Sequence, residues 1–397
     1  MNGLHVISEE KARGKILSAV APLPATEVSL GHALDRFAAN DLFATIPLPP
    51  FDNSAMDGYA VVANSAGKNA RLKIAGEQPA GVSKNLSLSA GKTIRIFTGA
   101  PMPIGADAVV MQEETQREGD FVLIQAEQTS VGDFVRKAGA DLAVGQQIVK
   151  RGDRLRPATL GLLASQGIES VRVGAQPRVA IVTTGDELGA PGQQLRSGEI
   201  FDSNGLMLAS LAAKTGMEVA MRRHCPDNFA TLCTTLRDAV HQNAVIISGG
   251  VSVGEHDLVR EALREIGAEI DLWRVAVKPG KPFLFGKRDR CLIFGLPGNP
   301  VSTFVTFLVF VRPALLQMMG AIDLSLPRAN ARLVHEITGD ETRPHYFRGH
   351  LADGAFTVIG RQESHAIFGL ARANALLRVR PEARLSAGSE VEVLLID

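Results

Sequence analysis

Apolar and polar positions in the middle of the chain alternate between two kinds of segment. Short, continuous apolar runs such as RVAIVTT and AVIIS are typical of buried strands, while longer runs such as SNGLMLASLAAKTG repeat apolar residues at helical spacing. The block that begins at Pro177 alternates the two kinds and closes with a strongly apolar helix, PVSTFVTFLVFVRPALLQMM. Such a pattern predicts a multidomain α/β chain whose parallel-type sheet is covered by helices on both faces.

Residues that favour helix ends mark where these helices begin and stop. Ser8 is expected to cap an N-terminal helix, and a further helix is expected to start at Asp227. The helix between them in the α/β block is expected to begin at Ser203 or Asn204 and to end at Gly216.

Both flanks of this block carry short apolar runs separated by turn residues. The runs YAVVA, TIRIF, DAVVM and FVLIQ lie between Pro47 and about Val135, and the runs FTVIG, ALLRVR and EVEVLLID lie in the last seventy or so residues. This pattern predicts a β-rich domain before the α/β block and a small all-β domain after it.

Composition excludes several functional classes. The 397 residues are enough for two to four domains, and 42 basic residues balance 42 acidic ones, which gives no reason to expect nucleic-acid binding. The three cysteines show no C-x-x-C spacing, so neither a disulfide framework nor a cysteine zinc site is expected. No signal-like N-terminus and no run of about 18 uninterrupted apolar residues is found, so a cytoplasmic protein without a membrane segment is expected.

The loop SGGVSVGEHD follows a predicted buried strand and resembles a phosphate-binding loop. Gly249 and Gly254 have the G-x-x-x-x-G spacing, but Glu255 and His256 stand where such loops carry Lys and Ser or Thr, and Asp257 follows. Carboxylates repel phosphate unless a hard divalent cation bridges the two groups. The loop therefore raises the question of where the compensating positive charge comes from.

Two further loops are expected at the same edge of the sheet, because parallel strands present their carboxyl ends on one side. TTGDEL carries Asp186 and Glu187, and KPGKPF carries Lys278 and Lys281 ahead of the loop GLPGNPVS. The three acids Asp186, Glu187 and Asp257 could hold Mg²⁺, while the lysines and loop amides neutralise phosphate oxygens. This combination indicates phosphoanhydride or phosphoryl chemistry.

Each of these features also has a purely structural interpretation. Asp186 could serve only to turn the chain, Glu255 and Asp257 could cap the following helix, and KPGKP could be a surface turn. The acid-rich segment FDNSAMDG could be a turn closed by its own side chains.

Six motifs together resemble one family. PPFDNSAMDGYA, FTGAPMPIGADAVV, TTGDEL, SGGVSVGEHD, KPGKP and GLPGNPVS occur here in the order found in MoeA-type molybdopterin molybdenumtransferases, and the resemblance covers essentially the whole chain. It implies an extended linking region at 1–45 and 141–175, a β-rich domain at 46–140, a molybdopterin-binding α/β domain at 176–327 and a C-terminal β-barrel-like domain at 328–397.

The resemblance also implies an activity. Such proteins take adenylylated molybdopterin and molybdate, hydrolyse the adenylate with Mg²⁺, release AMP and leave molybdenum on the pterin's dithiolene. It further implies a homodimer whose active site is shared between subunits, and a molybdopterin adenylyltransferase as the substrate donor. A non-catalytic molybdopterin-binding or scaffolding protein and a tungstate-handling homologue are the alternatives.

Matching of motifs assigns residues to this site. The expected catalytic residues are Asp57, Thr98, Asp141, Glu187, Asp227 and Asp257, with Asp57 and Thr98 reaching the site from the partner subunit. The expected substrate- and anion-binding residues are Gly249, Gly250, Ser252, Gly254, Arg274, Lys278, Lys281, Pro297, Gly298, Asn299, Pro300, Arg348 and Ser364. The chain departs from the family at Arg274, where members often carry Lys; arginine keeps the charge but presents it as a fork.

Overall fold

A computed structural model of the chain describes residues 6–250 and 258–396. These residues form two compact units, each assembled from separate stretches of sequence. The smaller unit contains residues 41–150 and 161–168, and the larger unit contains the other described residues.

A seven-stranded sheet forms the centre of the larger unit. In spatial order its strands are Ile7–Ser8, Glu269–Ala276, Pro282–Arg288, Cys291–Leu296, Ala244–Ser248, Arg178–Thr184 and Glu218–Cys225. The last four are parallel to one another, which confirms the predicted parallel-type sheet. Pro282–Arg288 is antiparallel to both of its neighbours, because the connections on either side of it are too short for a crossover helix.

Helices cover both faces of this sheet. The helices are Glu9–Ser18, Asn204–Lys214, Phe229–Ala239, Leu258–Glu265 and the continuous helical segment Pro300–Met318. Residues of the strand Arg178–Thr184 alternate between two apolar clusters, with Val179 and Ile181 in one and Ala180 and Val182 in the other. Because side chains alternate across a strand, this division places one core on each face of the sheet and explains the continuous apolar run.

The helix starts agree with the sequence in two cases and differ in one. The Ser8 hydroxyl accepts a hydrogen bond from the Lys11 N–H at 3.2 Å, as expected. The third helix begins at Phe229, where Asn228 accepts from Thr231 N–H at 3.0 Å, so the expected start at Asp227 was wrong by two residues. Ser203 occupies the cap position of the second helix, but its side chain makes no capping bond.

The segment Pro300–Met318 is long and apolar enough to cross a bilayer, with a mean hydropathy of 1.6, but 83% of it is buried inside the protein. Its central part, Phe307–Val311, forms a π-helix. Phe310 contacts Phe283 of the sheet with ring centroids 4.6 Å apart. The segment therefore packs as a core helix of the larger unit.

The C-terminal part of the larger unit contains a closed five-stranded barrel, which confirms the predicted β-barrel-like fold. Its strands in order around the barrel are Arg328–Leu333, Ala355–Val358, His345–Ala352, Ala375–Val379 and Glu390–Leu395. The barrel has its own core, which includes Phe356, Leu377 and Val393. A short helix, Ile367–Leu370, lies between two of the strands.

The N-terminal helix is attached to this barrel by a buried polar contact. The Tyr346 hydroxyl donates to Glu9 Oε1 at 2.7 Å, and Arg378 Nε donates to both Glu9 carboxylate oxygens at 3.1 Å. Burial and the neighbouring Glu9 charge raise the pKa of Tyr346, so the hydroxyl stays protonated and acts as a donor.

A six-stranded sheet forms the core of the smaller unit. Its strands in spatial order are Ala108–Met111, Gly58–Val61, Lys92–Ile96, Arg71–Gln78, Phe121–Ile124 and Thr115–Glu118. The four apolar runs of the sequence are thus strands of one sheet, as the β-rich prediction requires, with Val61, Leu72, Val110 and Val122 in its core.

Short elements complete both units. The helix Pro157–Ser165 is followed by Gly167 at a φ of 73°, a left-handed conformation that glycine adopts without strain. The short strand pairs are Ala25–Ser29 with Ser170–Gly174, Leu42–Phe43 with Gln147–Val149, Asn53–Ser54 with Val135–Arg136, Leu188–Gly189 with Ile200–Phe201, and Ile337–Thr338 with Arg384–Leu385.

Candidate active site

A cavity of 630 Å³ lies at the carboxyl ends of the parallel strands in the larger unit. Residues from all three loops singled out in the sequence line it. The expected site residues among its lining are Glu187, Asp227, Gly249, Gly250, Pro297, Gly298, Asn299 and Pro300. The convergence follows from strand direction, because these loops leave neighbouring parallel strands at the same edge.

Two consecutive threonines at the end of the strand Arg178–Thr184 each hold a carboxylate. The Thr183 hydroxyl donates to Asp202 Oδ2 at 2.7 Å, and the Thr184 hydroxyl donates to Asp227 Oδ1 at 2.6 Å. Since neighbouring side chains leave a strand on opposite faces, the two acids approach the cavity from different sides. Motif matching identified Asp227, whereas Asp202 and both threonines were missed.

Asp186 and Glu187 follow the strand Arg178–Thr184, and Asp227 follows the neighbouring strand Glu218–Cys225. Asp227 N–H donates to Asp186 Oδ1 at 3.0 Å, which brings the two residues together across 41 positions of sequence. The Glu187 carboxylate folds back over Gly185, where an added Cβ would lie 2.5 Å from Glu187 Oε2. Carboxylate oxygens are the ligands that Mg²⁺ takes when substrate oxygens complete its coordination shell. Among the described residues, no group of three acids, histidines or cysteines lies close enough together to hold a metal ion without such a substrate.

The glycine loop passes very close to the neighbouring strand. Gly249 has a φ of 97°, and a Cβ added to it would lie 2.3 Å from the carbonyl oxygen of Thr184. Gly250 has a φ of 65°, and its added Cβ would lie 2.5 Å from Val259 Cγ2. Both conformation and space therefore require glycine here. The remaining expected residues of this loop, Ser252, Gly254 and Asp257, lie outside the described residues.

The loop GLPGNPVS is held by side chains from elsewhere in the chain. Asn204 Nδ2 donates to the carbonyl of Gly298 at 2.6 Å and to Ser248 Oγ at 3.0 Å. Asn299 Nδ2 donates to Ser364 Oγ at 2.9 Å, so Ser364, an expected site residue, lies beside the cavity. Pro300 opens the long apolar helix at its first position, where the missing N–H costs nothing.

Arg348 is buried and holds the segment that contains Ser364 through hydrogen bonds to its backbone. Its side chain is only 1% exposed, and burial lowers the pKa of its guanidinium. The guanidinium donates to the carbonyl oxygens of Glu363, at 3.2 Å, and Arg361. The arginine thus positions the segment that carries Ser364 and is not among the residues that line the cavity.

Neither of the two predicted lysines is among the residues that line the cavity. Lys278 Nζ lies 3.2 Å from Asp340 Oδ2, and Lys281 is exposed directly before Pro282, which lines the cavity. Although burial opposes it, hydrogen bonds from Thr342 N–H and from the Arg343 and Lys278 side chains lower the pKa of Asp340. Arg274, half-buried, precedes this loop on the strand Glu269–Ala276.

The buried His345 is expected to make the stability of the protein depend on pH. Burial, and then the neighbouring Lys278 charge, lower the pKa of His345 from 6.5 to about 4. Below pH 6.5 the unfolded chain takes up a proton at this histidine that the folded protein does not. His345 therefore leaves the free energy of unfolding unchanged above pH 6.5 and lowers it as the pH decreases toward about 4. We expect His345→Gln to show a shallower loss of thermal stability over this interval.

The exposed His335 provides the matched control, since His335→Gln is expected to keep the wild-type slope. Melting curves recorded at several pH values measure both variants. Equal slopes for wild type and His345→Gln would show that other groups carry the dependence.

The smaller unit holds a separate pair of expected residues. Asp57 Oδ1 accepts hydrogen bonds from the Thr98 N–H and hydroxyl, both at 2.8 Å, and these bonds lower the pKa of Asp57. Asp57 is thus an ionised carboxylate whose orientation is fixed by Thr98. Asp141 is exposed on the same unit, with its N–H donating to Leu48 O at 2.9 Å.

Comparisons with known proteins cover nearly the whole chain. Three family models match, described as the MoeA N-terminal region (domains I and II) over residues 7–167, a probable molybdopterin binding domain over 180–317 and the MoeA C-terminal region (domain IV) over 330–396. The chain is 34% identical to a molybdopterin molybdenumtransferase of Haemophilus influenzae, with 98% of each protein covered. The chain belongs to the MoeA family. A Nostoc relative with the same name is 38% identical over 92% of this chain and 88% of its own length.

Solved structures of the MoeA family share the architecture. A molybdopterin biosynthesis MoeA protein from Pyrococcus horikoshii superposes with a TM-score of 0.82 at 32% identity, covering 98% of this chain and 99% of its own. A second structure of such a protein from that organism gives a TM-score of 0.86 at 28% identity, covering 99% and 100%. The resemblance and the fold class inferred from the six motifs are confirmed.

Proposed function

We propose that the chain is a molybdopterin molybdenumtransferase that inserts molybdenum from molybdate into adenylylated molybdopterin, hydrolysing the adenylate and releasing AMP. One observation carries the proposal: a single cavity joins the close-packed glycines Gly249 and Gly250 and the start of a helix with the acids Glu187 and Asp227. Hydrolysis of a phosphoanhydride uses both kinds of group. Backbone amides bind the phosphate oxygens, and carboxylates hold the bridging cation and the attacking water. MoeA relatives that bear this name support the assignment.

The residues divide the work as follows. The backbone N–H of Gly250, with the start of the Pro300–Met318 helix, binds phosphate oxygens, whereas the Gly249 N–H donates to the Leu296 carbonyl at 3.3 Å. Asp227, oriented by the Thr184 hydroxyl, holds the attacking water and accepts its proton. Lys278 and Lys281, with Arg274, bind molybdate after Lys278 leaves its contact with Asp340.

Asp186, Glu187 and Asp257 would hold Mg²⁺, although Asp257 lies outside the described residues. When bound, the ion supplies positive charge that neutralises developing charge on phosphate oxygens. The hydrogen bond from the Asp227 N–H to Asp186 Oδ1 supports this proposal, since it joins one of the three acids to the residue that would hold the water.

The test is AMP release. Purified protein is mixed with adenylylated molybdopterin and Mg²⁺, with and without micromolar molybdate, and AMP is quantified by chromatography. We expect release that depends on molybdate. Binding of the substrate without any molybdate-dependent AMP would instead identify a non-catalytic molybdopterin-binding protein.

We further propose that the enzyme is a cytoplasmic homodimer in which Asp57 and Thr98 of one subunit complete the cavity of the other. The Asp57 carboxylate supports this proposal because two hydrogen bonds from Thr98 fix its orientation while it stays only half-buried. A molybdopterin adenylyltransferase is the proposed supplier of substrate, because the substrate must carry an adenylate.

A mixing experiment tests the shared site. Asp57→Asn and Asp227→Asn subunits, each nearly inactive alone, are unfolded together and refolded at equal amounts. With random pairing about half of the dimers contain one subunit of each kind, and each of these has one intact site of two. About a quarter of wild-type AMP release is therefore expected. A mixture as inactive as its parents would place both residues in the site of one subunit.

A further inference from the structure

The loop KPGKP is attached to the C-terminal barrel at Lys278. The Lys278 N–H donates to the carbonyl of Pro344 at 2.9 Å, and the Lys278 carbonyl accepts from the Tyr346 N–H at 2.8 Å. These two bonds fix the backbone from which the lysine side chain starts. The position of its ammonium group is therefore decided by the anions within reach of a flexible stem.

The anion within reach in this structure is the carboxylate of Asp340, whose Oδ2 lies 3.2 Å from Lys278 Nζ. Asp340 Oδ1 accepts from the backbone N–H groups of Thr342 and Arg343, both at 3.1 Å, and Arg343 Nη2 donates to Oδ2 at 3.2 Å. Since none of these bonds involves Lys278, the carboxylate keeps its position when the lysine moves away.

The charges of this cluster do not cancel. Lys278 and Arg343 carry two positive charges against the single negative charge of Asp340, which leaves one positive charge. Burial lowers the pKa of the neighbouring His345 to about 4, so this histidine adds no charge at neutral pH. Because Arg343 stays paired with Asp340, Lys278 can leave without stranding a carboxylate whose side chain is only 14% exposed.

We propose that Asp340 is a positioning residue that sets the affinity for molybdate by competing with it for the Lys278 ammonium group. The inference rests on the proposed function, in which Lys278 binds molybdate. Both anions offer negatively charged oxygens to the same cation, so the free energy needed to part Lys278 from Asp340 is subtracted from binding. The contact thus raises the molybdate concentration at which the site fills.

Asp340→Asn removes the competing charge and keeps the turn. The asparagine carbonyl can still accept from the Thr342 and Arg343 N–H groups that Asp340 Oδ1 binds. Molybdate is titrated into the purified protein at neutral pH and constant ionic strength, without pterin, and the heat of binding is recorded. We expect the dissociation constant to fall about fivefold.

A gain of affinity is a result that local damage to the fold would not produce. The molybdate concentration for half-maximal AMP release is expected to fall by a similar factor in Asp340→Asn. An unchanged dissociation constant for molybdate in this variant overturns the inference, and so does a higher one, which would mean that Asp340 supports the site. Failure of both proteins to bind molybdate overturns it as well.

Asp353→Asn is the matched control for the change in net charge. Asp353 is exposed in the turn after the strand His345–Ala352, at the opposite end from the Lys278 contact. Its variant should bind molybdate with the wild-type dissociation constant. A gain equal to that of Asp340→Asn would show that net charge alone sets the affinity and would overturn the inference.

A double variant tests whether Asp340 acts through Lys278. In a Lys278→Gln background the ammonium group is gone, so adding Asp340→Asn is expected to leave the dissociation constant unchanged. A fivefold gain in that background would mean that the carboxylate acts on molybdate without the lysine, which contradicts a positioning role.

The titration uses the protein and molybdate alone, so its outcome is independent of AMP release. Tighter molybdate binding by Asp340→Asn in a protein that releases no AMP supports this inference and refutes the proposed activity. Molybdate-dependent AMP release together with an unchanged dissociation constant has the opposite meaning.

Discussion

Asp227→Asn is expected to slow molybdate-dependent AMP release by about a hundredfold or more, while the protein stays folded. The side chain is exposed, and asparagine can still accept the hydrogen bond that the Thr184 hydroxyl donates at 2.6 Å. The substitution therefore removes the negative charge and basicity of the carboxylate and little of its packing. Initial rates at saturating substrate and melting curves measure the two effects separately.

The control for this prediction is Asp238→Asn, which makes the same chemical change on the same unit away from the cavity. It should release AMP at the wild-type rate. If Asp227→Asn did so too, the carboxylate would have no part in the reaction and the role assigned by motif matching would be wrong.

Gly249→Ala is expected to lower the free energy of unfolding by about 2 kcal/mol or more and to impair AMP release. The methyl group would lie 2.3 Å from the Thr184 carbonyl oxygen, and alanine would also have to adopt a φ of 97°. Relief of this contact moves the strand end that holds Asp227 through the Thr184 hydroxyl. Urea unfolding followed by Trp273, the single tryptophan and a residue of the same sheet, reports the stability change.

Gly192→Ala separates the two causes. Gly192 has a φ of 91°, but an added Cβ would have no heavy atom within 4 Å. Its cost should be the backbone penalty alone, about 1 kcal/mol, with normal AMP release. Equal losses in both variants would mean that backbone conformation, and not the close approach to Thr184, makes glycine necessary in the loop.

Local pattern was sufficient for most elements of the fold. The run RVAIVTT is a strand because each of its faces meets a different apolar cluster, and continuous apolarity reports that environment directly. The six motifs were also sufficient to identify the family, since each can be recognised from a few consecutive residues. Ser8 illustrates the same point, because a cap bonds only three residues along the chain.

Contacts between distant segments could not be predicted in this way. Thr184 and Asp227 are 43 positions apart and Asn204 and Gly298 are 94 apart, and nothing local in sequence links either pair. For the same reason motif matching could name Arg348 but not its contact with the Glu363 carbonyl, 15 positions away. The smaller unit and the larger unit each carry part of the expected set of residues, and the sequence assigns both parts to one reaction only through the family.

The sequence by itself determined most elements and the family, and it named the acids, glycines and lysines that are expected in the site. The tertiary structure decided how these residues are held: two adjacent threonines orient Asp202 and Asp227, and Asn204 spends both of its N–H groups on neighbouring loops. The physical reason is that periodicity and capping are local along the backbone, whereas the partner of a polar side chain is set by which strands lie side by side and where they end.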